Sequence, residues 1–212
     1  MSIYNKNNLL CYEVASKDTL REELNGVLFK KDRTCATDSY IMLEVRNNEE
    51  FIKRCAEYPI LPDKSTILTN FAKKGYIVPT GSVKKALANL KEVKSDVLPI
   101  LQNSVFLNSQ NQQSSKIASY DLEKTDIVST KNIEGDFPDY EKAIPNTDKG
   151  FTKINLDINK LKQIIDVISK MELKGTQNEI ALFVKADNNP IVIKAITEQD
   201  QSITGVVMPI MK

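Results

Sequence analysis

IEGDFPDYEKAIP, residues 133 to 145, divides the chain. Pro138 and Pro145 each remove a backbone donor, fix φ, and push the preceding residue toward an extended conformation. The stretch therefore reads as an extended connector rather than a helix. It still carries Phe137, Tyr140 and Ile144, side chains that a free linker lacks. An extended segment with apolar anchors is expected to lie pinned in a seam between two packed units, residues 1–145 and residues 146–212.

Downstream of the connector, residues 151–156 (FTKINL) alternate as a strand, and Asp157 is a natural N-cap. Ile158, Leu161, Ile164, Ile165, Ile168 and Met171 form an apolar helical stripe, with Lys160, Lys162 and Lys170 elsewhere on the surface. Three strands follow at 179–186, 190–197 and 202–211, split by Asp187-Asn188-Asn189 and Glu198-Gln199-Asp200. Upstream, the same order occurs. Residues 76–79 (YIVP) form a short strand, Thr80-Gly81-Ser82 supplies N-cap chemistry, and a helix from Val83 presents Val83, Ala86, Leu87 and Leu90 on one face. Lys84, Lys85 and Lys91 lie off that face. Strands at 97–107, 115–122 and 126–133 complete the unit, the first two joined by a polar turn at 108–114.

The order β-α-β-β-β thus appears twice, and repeated order means stacked, repeated units. The N-terminal segment reads as a shortened third copy with a poor first strand and helix. Residues 7–16 fit either a helix or a strand. Residues 21–30 (REELNGVLFK) read as a strand with Asn25-Gly26 inside it, as a bulge or a close backbone approach rather than a hairpin turn. Lys31-Asp32-Arg33 is a polar turn, and residues 35–45 (CATDSYIMLEV) form a second strand pairing with the first as an antiparallel hairpin. A short helix around 49–56 and a loop at 58–63 follow. The fold class is α+β, with antiparallel sheets and helices on one face.

Composition narrows the chemistry. The 212 residues are 41% hydrophobic and 27% charged, with a formal net charge of +1, the profile of an ordinary globular protein with no bulk attraction to nucleic acid. Cys11, Cys35 and Cys55 have no metal or redox spacing and read as reduced, buried thiols of a cytoplasmic protein. No signal peptide or membrane-spanning segment is predicted. The absence of histidine excludes Ser-His-Asp and Cys-His catalysis and histidine metal sites. Seven scattered glycines make no phosphate loop. Asp38 and Asp139 read as turn and cap residues rather than a catalytic pair. No enzymatic activity, metal or cofactor is expected.

Several segments together resemble the bacterial sliding clamp, the beta subunit of DNA polymerase III. They are LNGVLF (24–29), ATDSYIMLEV (36–45), IEGDFPDYEKAIP (133–145) and VVMPIMK (206–212). IVPTGSVKKAL (77–87) and NPIVIKAI (189–196) fall in the matching order. The resemblance implies DNA-clamp-like repeats, with residues 1–145 similar to the family's middle domain and 146–212 to the second half of its last domain. It implies a non-catalytic processivity factor in DNA replication, with duplex DNA held non-specifically by an oligomer that could close a ring. The lysines Lys84, Lys85, Lys91, Lys160 and Lys162 would face that DNA. It also implies a pocket for linear peptides of DNA polymerases and clamp loaders. Its wall would use Leu24, Thr37, Ser39, Tyr40, Met42, Pro138, Lys142, Ala143, Val207, Met208, Pro209 and Ile210. The family has a glycine and two basic residues around the positions of Ser39, Tyr40 and Ile41, so peptide preference is expected to differ here. The alternative is a decoy or adaptor, of a phage or mobile element, that engages replication partners without encircling DNA.

Overall fold

A computed structural model describes residues 3–49, 74–90, 103–108, 113–120, 125–147, 150–174, 179–185 and 189–210. Lys91, Cys55, the loop expected at 58–63 and nearly all of the helix expected at 49–56 lie outside these residues. The chain divides into two compact units, Met1–Asp139 and Tyr140–Lys212, so the division falls inside the proline-bearing stretch.

The first unit contains two β-α-β-β-β halves. The first half is β1 (Ile3–Asn5), α1 (Lys6–Leu10), β2 (Gly26–Lys30), β3 (Arg33–Thr37) and β4 (Met42–Arg46). The second is β5 (Tyr76–Pro79), α2 (Thr80–Asn89), β6 (Asn103–Asn108), β7 (Ser114–Tyr120) and β8 (Thr125–Lys131). The N-terminal segment is therefore a complete copy, not a shortened one. Its helix was hard to read because it is short and is held by polar side chains. Asn5 caps it by accepting from the Asn7 and Asn8 backbones, while the Asn8 side chain accepts from the Asn5 N–H, a reciprocal capping arrangement. Asn8 is buried, and its amide donates to the Val45 carbonyl and to Thr34 Oγ1.

The two halves exchange their first strands. β5 completes the sheet β4-β3-β2-β5, and β1 completes the sheet β1-β6-β7-β8. All these pairs are antiparallel. Ile133 then bridges back to Ile77, its N–H donating to the Ile77 carbonyl at 2.9 Å. The α1 and α2 helices lie against each other and against the sheets. Between them sits a core of Tyr4, Leu9, Val27, Phe29, Tyr76, Val78, Val83, Ala86 and Ile117, with Cys11. Cys11 and Cys35 are buried and form no disulfide, and burial pushes the Cys11 thiol up.

Gly26 opens β2, and a Cβ there would stand 2.8 Å from the Val78 carbonyl oxygen and 2.6 Å from Ile77 Cγ2. The close backbone approach expected at Asn25-Gly26 is present, but Asn25 lies outside the strand, after a 3-10 turn at Glu22–Leu24. The single strand expected over 35–45 is two, because a turn at 38–41 reverses the chain. The N-cap expected at Thr80-Gly81-Ser82 is not made: the helix starts at Thr80, Pro79 is the cap, and no side chain bonds there. Pro79 fixes the entry and Ser82 instead donates to Thr130 Oγ1 at 2.8 Å.

The second unit holds α3 (Ile158–Ile168) and a sheet β11-β10-β9 made of β9 (Ala181–Phe183), β10 (Ile191–Ile196) and β11 (Ser202–Val207). Asp157 caps α3 as expected, accepting from the Asn159 N–H at 2.8 Å. Ile168, Leu173, Ile191, Ile193, Ala195 and Val207 form the core, with Leu161, Ile164 and Ile165 packed against it. Ile158 and Met171, counted in the same stripe, are exposed. Residues 151–156 form no strand. The expected fourth strand is missing although Ile154 and Leu156 touch the core. The C-terminal strand also ends earlier than expected, at Val207, before Pro209. In the connector, Tyr140 is buried and opens a 3-10 turn, Tyr140–Ala143, while Ile144 is exposed; the stretch is thus not extended throughout. Among the described residues no helix is long and apolar enough to cross a membrane.

Candidate functional site

The turn at residues 38–41 is fixed by its own side chains. Asp38 Oδ1 accepts from the Tyr40 and Ile41 backbone N–H groups, each at 2.8 Å. Thr37 Oγ1 accepts from the Ser39 N–H at 3.1 Å and donates to the Ile41 carbonyl at 2.7 Å. Ser39 adopts φ 83°, a left-handed conformation unusual for a residue with a Cβ. The result projects Tyr40 into solvent, 95% exposed, with Ile41 exposed beside it. The backbone donors from Ile41 and Tyr40 hold the Asp38 carboxyl below its ordinary value.

Beside this turn lies a cleft of about 600 Å³ within the first unit. One bank is residues 13–18 with Arg21, the other is Asp38, Ser39, Tyr40 and Ile41, and buried Leu24 contributes to its lining. The banks are tied by Arg21 Nη1 donating to Ser39 Oγ at 3.0 Å and, beneath, by the Ser16 N–H donating to the Leu24 carbonyl at 3.0 Å. Ser16 and Asp18 shape the first bank by capping the Asp18 and Leu20 amides. Leu20, next to Arg21, is 90% exposed. Three carboxylates (Glu13, Asp18, Asp38) and two cations (Lys17, Arg21) surround the cleft, so it offers both charge signs beside the apolar side chains of Val14, Leu24 and Ile41. Among the described residues no group of His, Cys, Asp and Glu side chains could hold a metal ion.

Of the residues expected from the sequence, Leu24, Ser39 and Tyr40 come together in this cleft. Thr37 is buried and supports the turn, and Met42 begins β4 just past it. Pro138 is exposed in the stretch after β8. In the second unit, Lys142 and Ala143 are exposed in the 3-10 turn. Val207 is buried in that unit's core, and Met208, Pro209 and Ile210 follow β11 with Met208 and Ile210 exposed. Lys84 and Lys85 on α2 and Lys160 and Lys162 on α3 are exposed. The first bank, with Arg21, escaped the sequence reading. Its signal was the run ASKDTLR at 15–21, where Ser and Asp two residues apart mark local side-chain-to-backbone turns.

No protein-family profile matches the chain, and no curated protein matches it in sequence. Solved structures do. The chain is similar to the beta sliding clamp of Caulobacter crescentus, with a TM-score of 0.64 and 16% identity over 98% of this chain and 50% of that one. It is similar to the DNA polymerase sliding clamp of Pseudomonas aeruginosa, with a TM-score of 0.63, 16% identity and the same coverage. The beta subunit of the Streptococcus pyogenes DNA polymerase gives a TM-score of 0.57 at 15% identity, over 99% of this chain and 50% of that one. The chain spans about half the length of these proteins. With its repeated β-α-β-β-β halves and antiparallel sheets, it has the fold of the bacterial beta sliding clamp, carried over half of a clamp subunit's length.

Proposed function

We propose that the chain is a non-catalytic, clamp-like processivity factor of DNA replication, cytoplasmic, whose cleft takes linear clamp-interacting peptides. The observation that carries this reading is the cleft itself. A chain with the clamp fold presents an open groove beside a rigidly held turn that thrusts Tyr40 almost fully into solvent. An exposed aromatic on a fixed turn is a low-entropy anchor for a short apolar motif. The charged side chains of the two banks would set the peptide's direction. One of the similar structures, the Caulobacter clamp, is described with a polyethylene glycol at a candidate region for tethering beta motifs. The resemblance also implies peptide contacts for Thr37, Met42 and Pro138 of the first unit and, in the second unit taken by itself, for Lys142, Ala143, Val207, Met208, Pro209 and Ile210. The lysines of α2 and α3 would meet duplex DNA by sequence-independent phosphate contacts, with the chain acting as an oligomer.

The test is a fluorescence-anisotropy titration with a labelled peptide carrying the clamp-interacting segment of a bacterial polymerase. Saturable binding is expected, and Tyr40→Ala should weaken it about 10-fold, the effect of losing a good aromatic anchor. Met208→Ala tests the second unit's share in the same way. No saturation at millimolar peptide, or affinity unchanged in both variants, would sink the reading.

A further inference from the structure

In the first unit, each half gives its first strand to the other. The receiving strand is always the one that follows the helix: β1 lies on β6 and β5 lies on β2. The register is the same in both. The residue capping the helix, Asn5 or Pro79, stands opposite the first residue of the receiving strand, Asn103 or Gly26. With its edge covered by β5, β2 is buried along Gly26, Val27, Leu28 and Phe29.

The second unit is one such half with neither part of the exchange made. Its first-strand segment, residues 151–156, joins no sheet. Its receiving strand, β9, is exposed along its whole length. Leu182 stands opposite Ile193, on the face where Ile193 is buried. Even so, Leu182 is 57% exposed, and its neighbours Phe183 and Val184 are also open. Phe151 and Ile158 at the other end of the exchange are exposed as well. The donor segment is nevertheless held as a donor strand would be. The Ile210 N–H, just past β11, donates to the Asn155 carbonyl at 2.8 Å. This repeats the bond from Ile133, just past β8, to Ile77 of β5.

We infer that a second copy of this chain completes the half, by reciprocal exchange of residues 151–156. Each copy lays this segment antiparallel on the partner's β9, with Asp157 opposite the start of that strand. A half that both lacks a strand and offers one is self-complementary, so a two-fold pair meets both needs at once. The exchange covers an open apolar sheet edge, which isolated chains rarely leave bare. It brings the two α3 helices together, as α1 and α2 lie together in the first unit. It rests on the second unit alone and is independent of the peptide-binding reading.

Sedimentation equilibrium of the full chain should give twice the chain mass. Isotope-filtered nuclear Overhauser spectra of a mixed-label sample should join residues 152–156 of one copy to residues 180–184 of the other. Leu182→Lys, which puts a charge on the receiving edge, and Phe151→Lys, on the donated segment, should each raise the dimer dissociation constant at least 10-fold. Both should leave peptide affinity at the first-unit cleft intact. A chain that stays monomeric overturns the inference. So does a dimer whose intermolecular contacts lie elsewhere, or one that neither variant weakens.

Discussion

Ser39 shows how a single residue sets the candidate site. Its φ of 83° costs a residue with a Cβ about 1–2 kcal/mol. Glycine would relieve that cost but loses about 0.5–1 kcal/mol through the freer unfolded chain. It would also give up the exposed bond from Arg21. Ser39→Gly should therefore change stability by no more than about 1 kcal/mol, whereas Ser39→Val, β-branched at positive φ, should cost about 2 kcal/mol. Thermal melts of the two variants check this. Asp38 supplies the pH dependence. Its carboxyl is held below the ordinary value of 3.8 by the Ile41 and Tyr40 N–H groups. A depressed carboxyl contributes stability that is present above its unfolded value and lost as pH falls through the folded value. The Tyr40 and Ile41 amide resonances should therefore hold steady from neutral pH down to about pH 4 and move only below it. In Asp38→Ala they should lose their native positions at every pH.

Elements differ in how plainly their sequence speaks, and the reason is which partner decides them. The α3 helix was legible because its cap and apolar stripe are local: Asp157→Ala should cost about 1 kcal/mol, read as a lower melting temperature. Strand β5 was legible from its four residues, whereas the helix entry was not: the cap expected at Thr80-Gly81-Ser82 is Pro79. At 38–41 the turn role of Asp38 was legible, as its bonds to the Tyr40 and Ile41 amides show, but the break it makes in the strand was not, because side chains that act on backbone groups leave no hydrophobic period. Residues 151–156 alternate like a strand yet form none, since a strand exists only where a neighbour accepts its bonds. The exchange of first strands could not be read locally at all, because period and propensity say nothing about which sheet a strand joins. Gly26 marks that exchange physically. Gly26→Ala would drive a Cβ into the Val78 carbonyl and should destabilise by about 1–3 kcal/mol, checked by denaturant unfolding.

At the scale of the molecule, the two units have unequal cores, and unfolding should not be two-state. The smaller core of the second unit should open first, with weaker amide-exchange protection in the edge strand β11 than in β2. A net charge of +1 and a few exposed lysines predict weak duplex binding, with a dissociation constant of about 10⁻⁴ M or weaker at physiological salt. Lys84→Ala with Lys85→Ala should flatten its salt dependence. Whether the cleft beside Tyr40 receives a linear clamp-interacting peptide, as proposed, is decided by photo-cross-linking. A benzophenone-bearing peptide, mapped by mass spectrometry, should label residues 13–21 and 38–41 and be displaced by unlabelled peptide. Labelling confined to other surfaces, or no stronger than that of a scrambled peptide, would rule out this cleft as the peptide site.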